Sequence, residues 1–179
     1  MKYIKTKLND VFIIEPEPFI DNRGLFRRTF CKNEFKETKI DYDIKQINIS
    51  ENIKPLTLRG FHFQNEPYGE EKVISCLRGE IYDIVLDLRK DSDSYLRWQA
   101  FNLSGKNKKL IYLPKGCANA YMTLKEDTWI QYFHSEFYSP GNEGGIRYDD
   151  PFFKFDWPSE PKIISEKDLN FPSFSIDSN

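Results

Sequence analysis

The sequence predicts an all-β domain, an antiparallel sandwich or barrel with short peripheral helices. Three observations carry this. Short runs rich in β-branched and aromatic residues recur along the chain, turn signals separate them, and no helical pattern alternates with them. The predicted strands are residues 11–14, 43–50, 56–64, 72–77, 79–88, 97–103, 109–113, 118–124 and 128–137. Arg78-Gly79 divides the fourth from the fifth, and Arg89-Lys90-Asp91-Ser92-Asp93 the fifth from the sixth. Ser104-Gly105-Lys106-Asn107, Pro114-Lys115-Gly116 and Glu126-Asp127 end the sixth, seventh and eighth. Helical signals are confined to residues 32–36, a turn or short helix, and residues 165–168.

Length and composition bound the rest. The 179 residues fit one domain, 1–179, with a sizeable core, and 16% aromatic content favours a globular β protein over a disordered or coiled-coil one. A net charge of −2 provides no global field for nucleic acid, so basic residues must be judged locally. No apolar run approaches the roughly 20 residues that span a membrane. Met1-Lys2-Tyr3-Ile4-Lys5 lacks the apolar stretch of a signal peptide. Cys31, Cys76 and Cys117 are an odd, widely spaced set that reads as free thiols, so a cytoplasmic location is expected.

Alternation in the strand at 79–88 puts Tyr82, Ile84, Leu86 and Leu88 on one face and Ile81, Asp83, Val85 and Asp87 on the other. Two carboxylates on a face that also holds Ile and Val imply a wet cavity or the outside of a sheet. Were the strands beginning at Lys72 and Gly79 paired as a hairpin, Lys72 and Asp83 would meet.

The chemistry-bearing stretch is Leu58-Arg59-Gly60-Phe61-His62-Phe63-Gln64, followed by Lys72. With only two histidines in the chain, His62 is not one member of a metal cluster. Beside Arg59 and Lys72 it reads as an acid–base group next to an anion. Arg23-Gly24 and Arg59-Gly60 each set an arginine fork next to a glycine that lets backbone approach a ligand. His134 lacks such context and reads as structural or surface. No P-loop, dinucleotide fingerprint or paired-cysteine zinc signature is present, so no cofactor and no metal are expected.

Together these segments resemble the dTDP-4-dehydrorhamnose 3,5-epimerase family of nucleotide-sugar epimerases. The match is carried by Asp21-Asn22-Arg23-Gly24-Leu25-Phe26, Gln46-Ile47-Asn48-Ile49-Ser50, the His62 strand, Lys72-Val73 and Arg78-Gly79-Glu80-Ile81-Tyr82-Asp83. Asp87-Leu88-Arg89, Ile111-Tyr112-Leu113-Pro114-Lys115-Gly116, Tyr138-Ser139-Pro140, Gly145-Ile146-Arg147-Tyr148-Asp149-Asp150-Pro151 and Asp156-Trp157-Pro158 extend it over most of the chain.

The resemblance implies a cupin-type jelly roll, a homodimer with exchanged N-terminal segments, and a metal-free site acting on a nucleotide-diphosphate 4-keto sugar. It implies inversion at carbon 3, carbon 5 or both through an enolate, in surface-polysaccharide or deoxysugar synthesis. By the same carry-over His62 is the base, oriented by Asp168, and Tyr132 the acid on the other side. Lys72 stabilises the enolate oxygen, with Asp83 holding it. Arg59 and Arg23 contact the diphosphate, the latter from the partner subunit. Tyr138 stacks on the nucleobase, and Gln46, Asn48 and Glu143 are polar substrate contacts.

Two positions depart from the family pattern. Asn119 stands where the family has histidine, and asparagine does not titrate. Arg28 stands where the family has glutamate, facing the nucleobase. An arginine fork suits guanine O6 and N7, which motivates a GDP-4-keto-heptose substrate in place of a dTDP-linked 6-deoxyhexose. Competing readings are a ketoisomerase on the same scaffold, a non-catalytic nucleotide-sugar binding module and a metal-dependent oxygenase.

Overall fold

The computed structural model describes residues 1–38 and 40–176. Two antiparallel sheets face one another as a β-sandwich of the expected jelly-roll type. One is six-stranded, in the order β1 (Lys2–Lys5), β2 (Phe12–Glu15), β10 (Leu110–Leu113), β7 (Lys72–Arg78), β12 (Thr128–His134), β5 (Gln46–Asn52). The other is five-stranded, in the order β13 (Glu143–Gly145), β6 (Leu58–Gln64), β11 (Cys117–Thr123), β8 (Glu80–Asp87), β9 (Trp98–Ser104). A separate hairpin joins β3 (Phe19–Asp21) to β4 (Gly24–Phe26), and two short helices, α1 (Lys32–Glu37) and α2 (Glu166–Leu169), lie at the periphery.

Strand alternation sorts the apolar residues into three layers. Ile74, Cys76, Ile81, Val85, Ile111 and Ile130 pack between the sheets. Their strand neighbours point outward. Val73, Leu110, Tyr112 and Phe133 meet Phe35 of α1 and Tyr42 on the back of the six-stranded sheet. Ile84, Leu86, Ala118 and Ala120 meet Phe153, Phe155 and Trp157 of the C-terminal segment on the back of the other. Both sheets are therefore covered on both faces, which explains why so few strands read as simply half-polar.

Most predicted strands form within a few residues of their expected bounds. The strands starting at Lys72 and Gly79 do not pair as a hairpin. β7 pairs with β10 and β12, and β8 pairs with β11 and β9, in the opposite sheet. Gly79, with φ of 75°, turns the chain from one sheet to the other. Ile74 and Cys76 of β7 and Ile81 and Val85 of β8 instead bury one another across the sandwich. β1, β3, β4 and β13 were not predicted, because strands of three or four residues are too short to show a period. No described helix is long and apolar enough to cross a membrane.

Candidate active site

One end of the space between the sheets is lined by polar side chains and opens as a cavity of 570 Å³. That volume suits a small organic ligand.

The five-stranded sheet supplies Arg59 and His62. Three residues apart, they would face opposite ways in a regular strand. The register of β6 against β11 shifts here: Asn119 lies opposite His62, while Tyr121 lies opposite Arg59. β6 thus carries one extra residue, a bulge that aims both side chains into the cavity. Gly60 makes the bulge possible. Its φ is 113°, and a Cβ there would lie 2.5 Å from the carbonyl oxygen of Asn119 and 2.7 Å from the Ala120 side chain.

Asp168 reaches the same place from α2, 106 residues along the chain. Ser165 caps that helix by accepting the Asp168 N–H at 3.1 Å. The carboxylate oxygens then divide their work. Oδ1 lies 2.7 Å from His62 Nε2, and Oδ2 accepts the Gly60 N–H at 3.2 Å. Burial would raise this carboxyl. The His62 hydrogen bond and charge, the Gly60 N–H and Ser165 outweigh it and hold the group below the usual carboxylate range. With Nε2 engaged, the Nδ1 lone pair of His62 is the one available to take a proton.

The six-stranded sheet supplies Tyr132, Lys72, His134 and Asn48. Lys72 lies opposite His134 in the ladder, and Asn48 opposite Tyr132. Burial, then the neighbouring Tyr121, pushes the Tyr132 phenol well above its ordinary range, so it is a proton donor at neutral pH. Tyr121 is bonded to Ser50 at 3.0 Å, and Asn52 joins this group to Arg59, accepting its Nε–H at 2.9 Å.

The Lys72 ammonium donates to the His62 carbonyl at 3.1 Å and to Asn119 Oδ1 at 3.4 Å. Asn119 Nδ2 in turn donates to Asp83 Oδ1 at 3.1 Å. Asp83, which the resemblance implies holds Lys72, therefore reaches it through the asparagine amide that stands between them. Of the two environments expected for the carboxylates of β8, Asp83 occupies the interior. It is fully buried, its Oδ2 has no partner, and burial, against the pull of Asn119 and Lys72, pushes the carboxyl up to about 7. Asp87, on the same face, is taken up by Arg89, Ser92 and Ser94.

At the mouth, the Tyr138 hydroxyl donates to Glu143, and Lys167 lies 3.3 Å from the same carboxylate. The Tyr138 bond first, and Lys167 after it, hold Glu143 at about 2. Gln46 contributes indirectly, accepting the Tyr138 N–H at 3.1 Å without lining the cavity.

Two predicted contacts lie outside the chain's own cavity. Arg23, with an 86% exposed side chain, pairs with Asp21 at the tip of the β3–β4 hairpin. Arg28 pairs with Glu34 at 2.5 Å, near the N-terminal amine. Its guanidinium is thus engaged by a carboxylate away from this chain's own cavity. Sequence reasoning missed Glu70 and His134, which line the cavity and bond to each other at 2.7 Å. The available signal was parity, since His134 lies two residues beyond Tyr132 on the same face.

Residues 5–175 match the family model for dTDP-4-dehydrorhamnose 3,5-epimerase. The enzyme of that name from Methanothermobacter thermautotrophicus is 40% identical over 174 residues, covering 95% of this chain and 92% of its own. The Shigella flexneri enzyme is 36% identical over 97% of this chain and 96% of its own. The Bacillus anthracis epimerase structure with TDP and pyrophosphate bound superposes with a TM-score of 0.93 at 34% identity, covering 97% of this chain and 99% of its own. The chain belongs to the dTDP-4-dehydrorhamnose 3,5-epimerase family and is an isomerase of that class.

Proposed function

We propose that this protein epimerises a dTDP-linked 4-keto-6-deoxyhexose at carbons 3 and 5, in deoxysugar synthesis, by acid–base chemistry through an enolate. The observation that carries the proposal is that a histidine–aspartate pair and a half-buried phenol come from opposite sheets and line one cavity. Inversion needs a base on one face of a carbon and an acid on the other, and a sugar lying between the sheets meets both. The substrate assignment is supported by the relatives, among them a Legionella pneumophila epimerase whose structure holds dTDP-4-keto-L-rhamnose, with a TM-score of 0.87 and 32% identity over 97% of this chain and 98% of its own.

In this reading the 4-keto group acidifies the neighbouring C–H bonds. His62 Nδ1 takes the proton, and Asp168 steadies the imidazolium that forms. Lys72, with Asn119 beside it, stabilises the charge growing on the ketone oxygen. Tyr132 returns a proton to the opposite face. Arg59 holds the diphosphate, and Tyr138, Glu143, Asn48 and Gln46 shape the nucleotide end.

The proposal includes a homodimer that exchanges the β3–β4 hairpin, bringing Arg23 to the partner's diphosphate. In the isolated chain Phe19, Ile20 and Phe26 of that hairpin are more than 70% exposed, as a segment destined for a partner would be. The whole chain acts as one domain, and a cytoplasmic location fits the free thiols Cys31, Cys76 and Cys117.

The test is deuterium incorporation from D₂O into dTDP-4-keto-6-deoxyglucose, read by NMR, with His62→Ala as control. Incorporation with inversion at both carbons is expected. Incorporation at carbon 3 alone would make it a 3-epimerase, and a moved carbonyl would make it a ketoisomerase. Absence of exchange, with binding intact, would leave only a binding module.

A further inference from the structure

A buried ammonium needs a counter-charge, because desolvation otherwise favours its neutral form. The Lys72 side chain is 7% exposed, and two carboxylates stand near it. Asp83 is separated from it by the Asn119 amide, and burial pushes that carboxyl up to about 7, so at neutral pH it carries only part of a charge. Glu70 is the better partner. Its Oε1 lies 3.3 Å from the Lys72 nitrogen, and its Oε2 lies 2.7 Å from His134 Nδ1. Burial would raise this carboxyl too. Lys72 and His134 outweigh burial and hold it below the usual range. His134 is itself held, stacked on the Tyr132 ring at 5.7 Å with 20° between planes, and it lies opposite Lys72 in the ladder.

We propose that Glu70, locked by His134, is the counter-ion that positions Lys72 in the site. The cavity then contains two histidine–carboxylate pairs with different tasks. His62–Asp168 handles protons, while His134–Glu70 aims a cation and moves no proton itself. This rests on the reading of Lys72 as the group that stabilises the enolate. Glu70 and His134 are positioning residues, acting on the substrate through Lys72.

The experiment is a double-mutant cycle on kcat and KM, combining Glu70→Gln with Lys72→Ala, with thermal melts to verify folding. Glu70→Gln is expected to lower kcat about tenfold while KM stays within about twofold, and to cause no further loss in the Lys72→Ala background. His134→Leu is expected to lower kcat in the same way, and His134→Gln, which keeps an N–H donor for Glu70, to recover most of it. A Glu70→Gln loss of equal size in both backgrounds would overturn the inference and leave the Lys72 reading intact. A Lys72→Ala enzyme with unchanged kcat would instead overturn the Lys72 reading, and the inference with it. Should Glu70→Gln fail to fold, His134→Leu in both backgrounds makes the same comparison.

Discussion

Asp168→Asn is the substitution that best tests how the site is built. The carboxylate accepts from two groups at once, His62 through Oδ1 and the Gly60 N–H through Oδ2. An amide has one acceptor and one donor end. If its oxygen serves Gly60, its NH₂ faces His62 Nε2, and the ring must move its proton to Nδ1, the nitrogen that is needed as base. If its oxygen serves His62, the NH₂ group opposes the Gly60 N–H and strains the bulge that aims Arg59. A hydrogen bond to a charged group contributes about 1.5–3 kcal/mol. Lost from the transition state, that is a kcat about 10- to 150-fold lower.

The assay is the rate of deuterium incorporation under saturating substrate, together with a thermal melt. The melt has its own signature. The Asp168 carboxyl is depressed in the folded state, so its contribution to stability is present above the unfolded-state value, near 4, and lost as pH falls through the folded one. The stability gap between wild type and Asp168→Asn should therefore narrow in acid. A folded Asp168→Asn enzyme that exchanges within twofold of wild type would refute the assignment of Asp168 as the group that orients His62.

Other outcomes follow from the same geometry. Tyr132→Phe should retain proton abstraction by His62 but lose return to the other face, so inversion should fall about 100-fold or more while exchange persists; equal losses of both would contradict separate roles. Gly60→Ala places a Cβ 2.5 Å from the Asn119 carbonyl at a φ of 113°, and should destabilise the fold by about 1–3 kcal/mol in denaturant melts and lower kcat with it. Asp83 is raised in the folded state, so it favours folding most below its unfolded value and progressively less as pH climbs to about 7. Asp83→Asn should therefore melt with less pH dependence than wild type between pH 4 and 7, by up to about 4 kcal/mol. Phe19→Glu with Phe26→Glu should yield a folded monomer by sedimentation with a raised KM; a dimer unaffected by both changes would rule out the exchanged hairpin.

Much of the fold was legible before the tertiary structure. The long strands announce themselves by composition and by turn signals such as Arg78-Gly79 and Pro114-Lys115-Gly116, and they form close to where these place them. The residues themselves pointed to His62, Lys72 and Arg59, the resemblance added Asp168 and the role of Tyr132, and all five line the cavity. The three-residue strands β3, β4 and β13 stayed hidden, since two or three alternations are indistinguishable from loop.

What the chain could not say by itself is which faces meet. A period of two assigns a residue to a side of its strand but not to a partner strand, so it leaves open whether consecutive strands β7 and β8 pair, and they lie in opposite sheets. Period two also places Arg59 and His62 on opposite sides. Only the bulge at Gly60, a register shift against β11, brings both into the cavity. The pairs His62–Asp168 and His134–Glu70 span 106 and 64 residues of sequence. Local pattern determined the strands and which residues share a face, because alternation is a property of each strand alone. Tertiary structure decided which charges neutralise one another, because that depends on distances between elements remote in the chain.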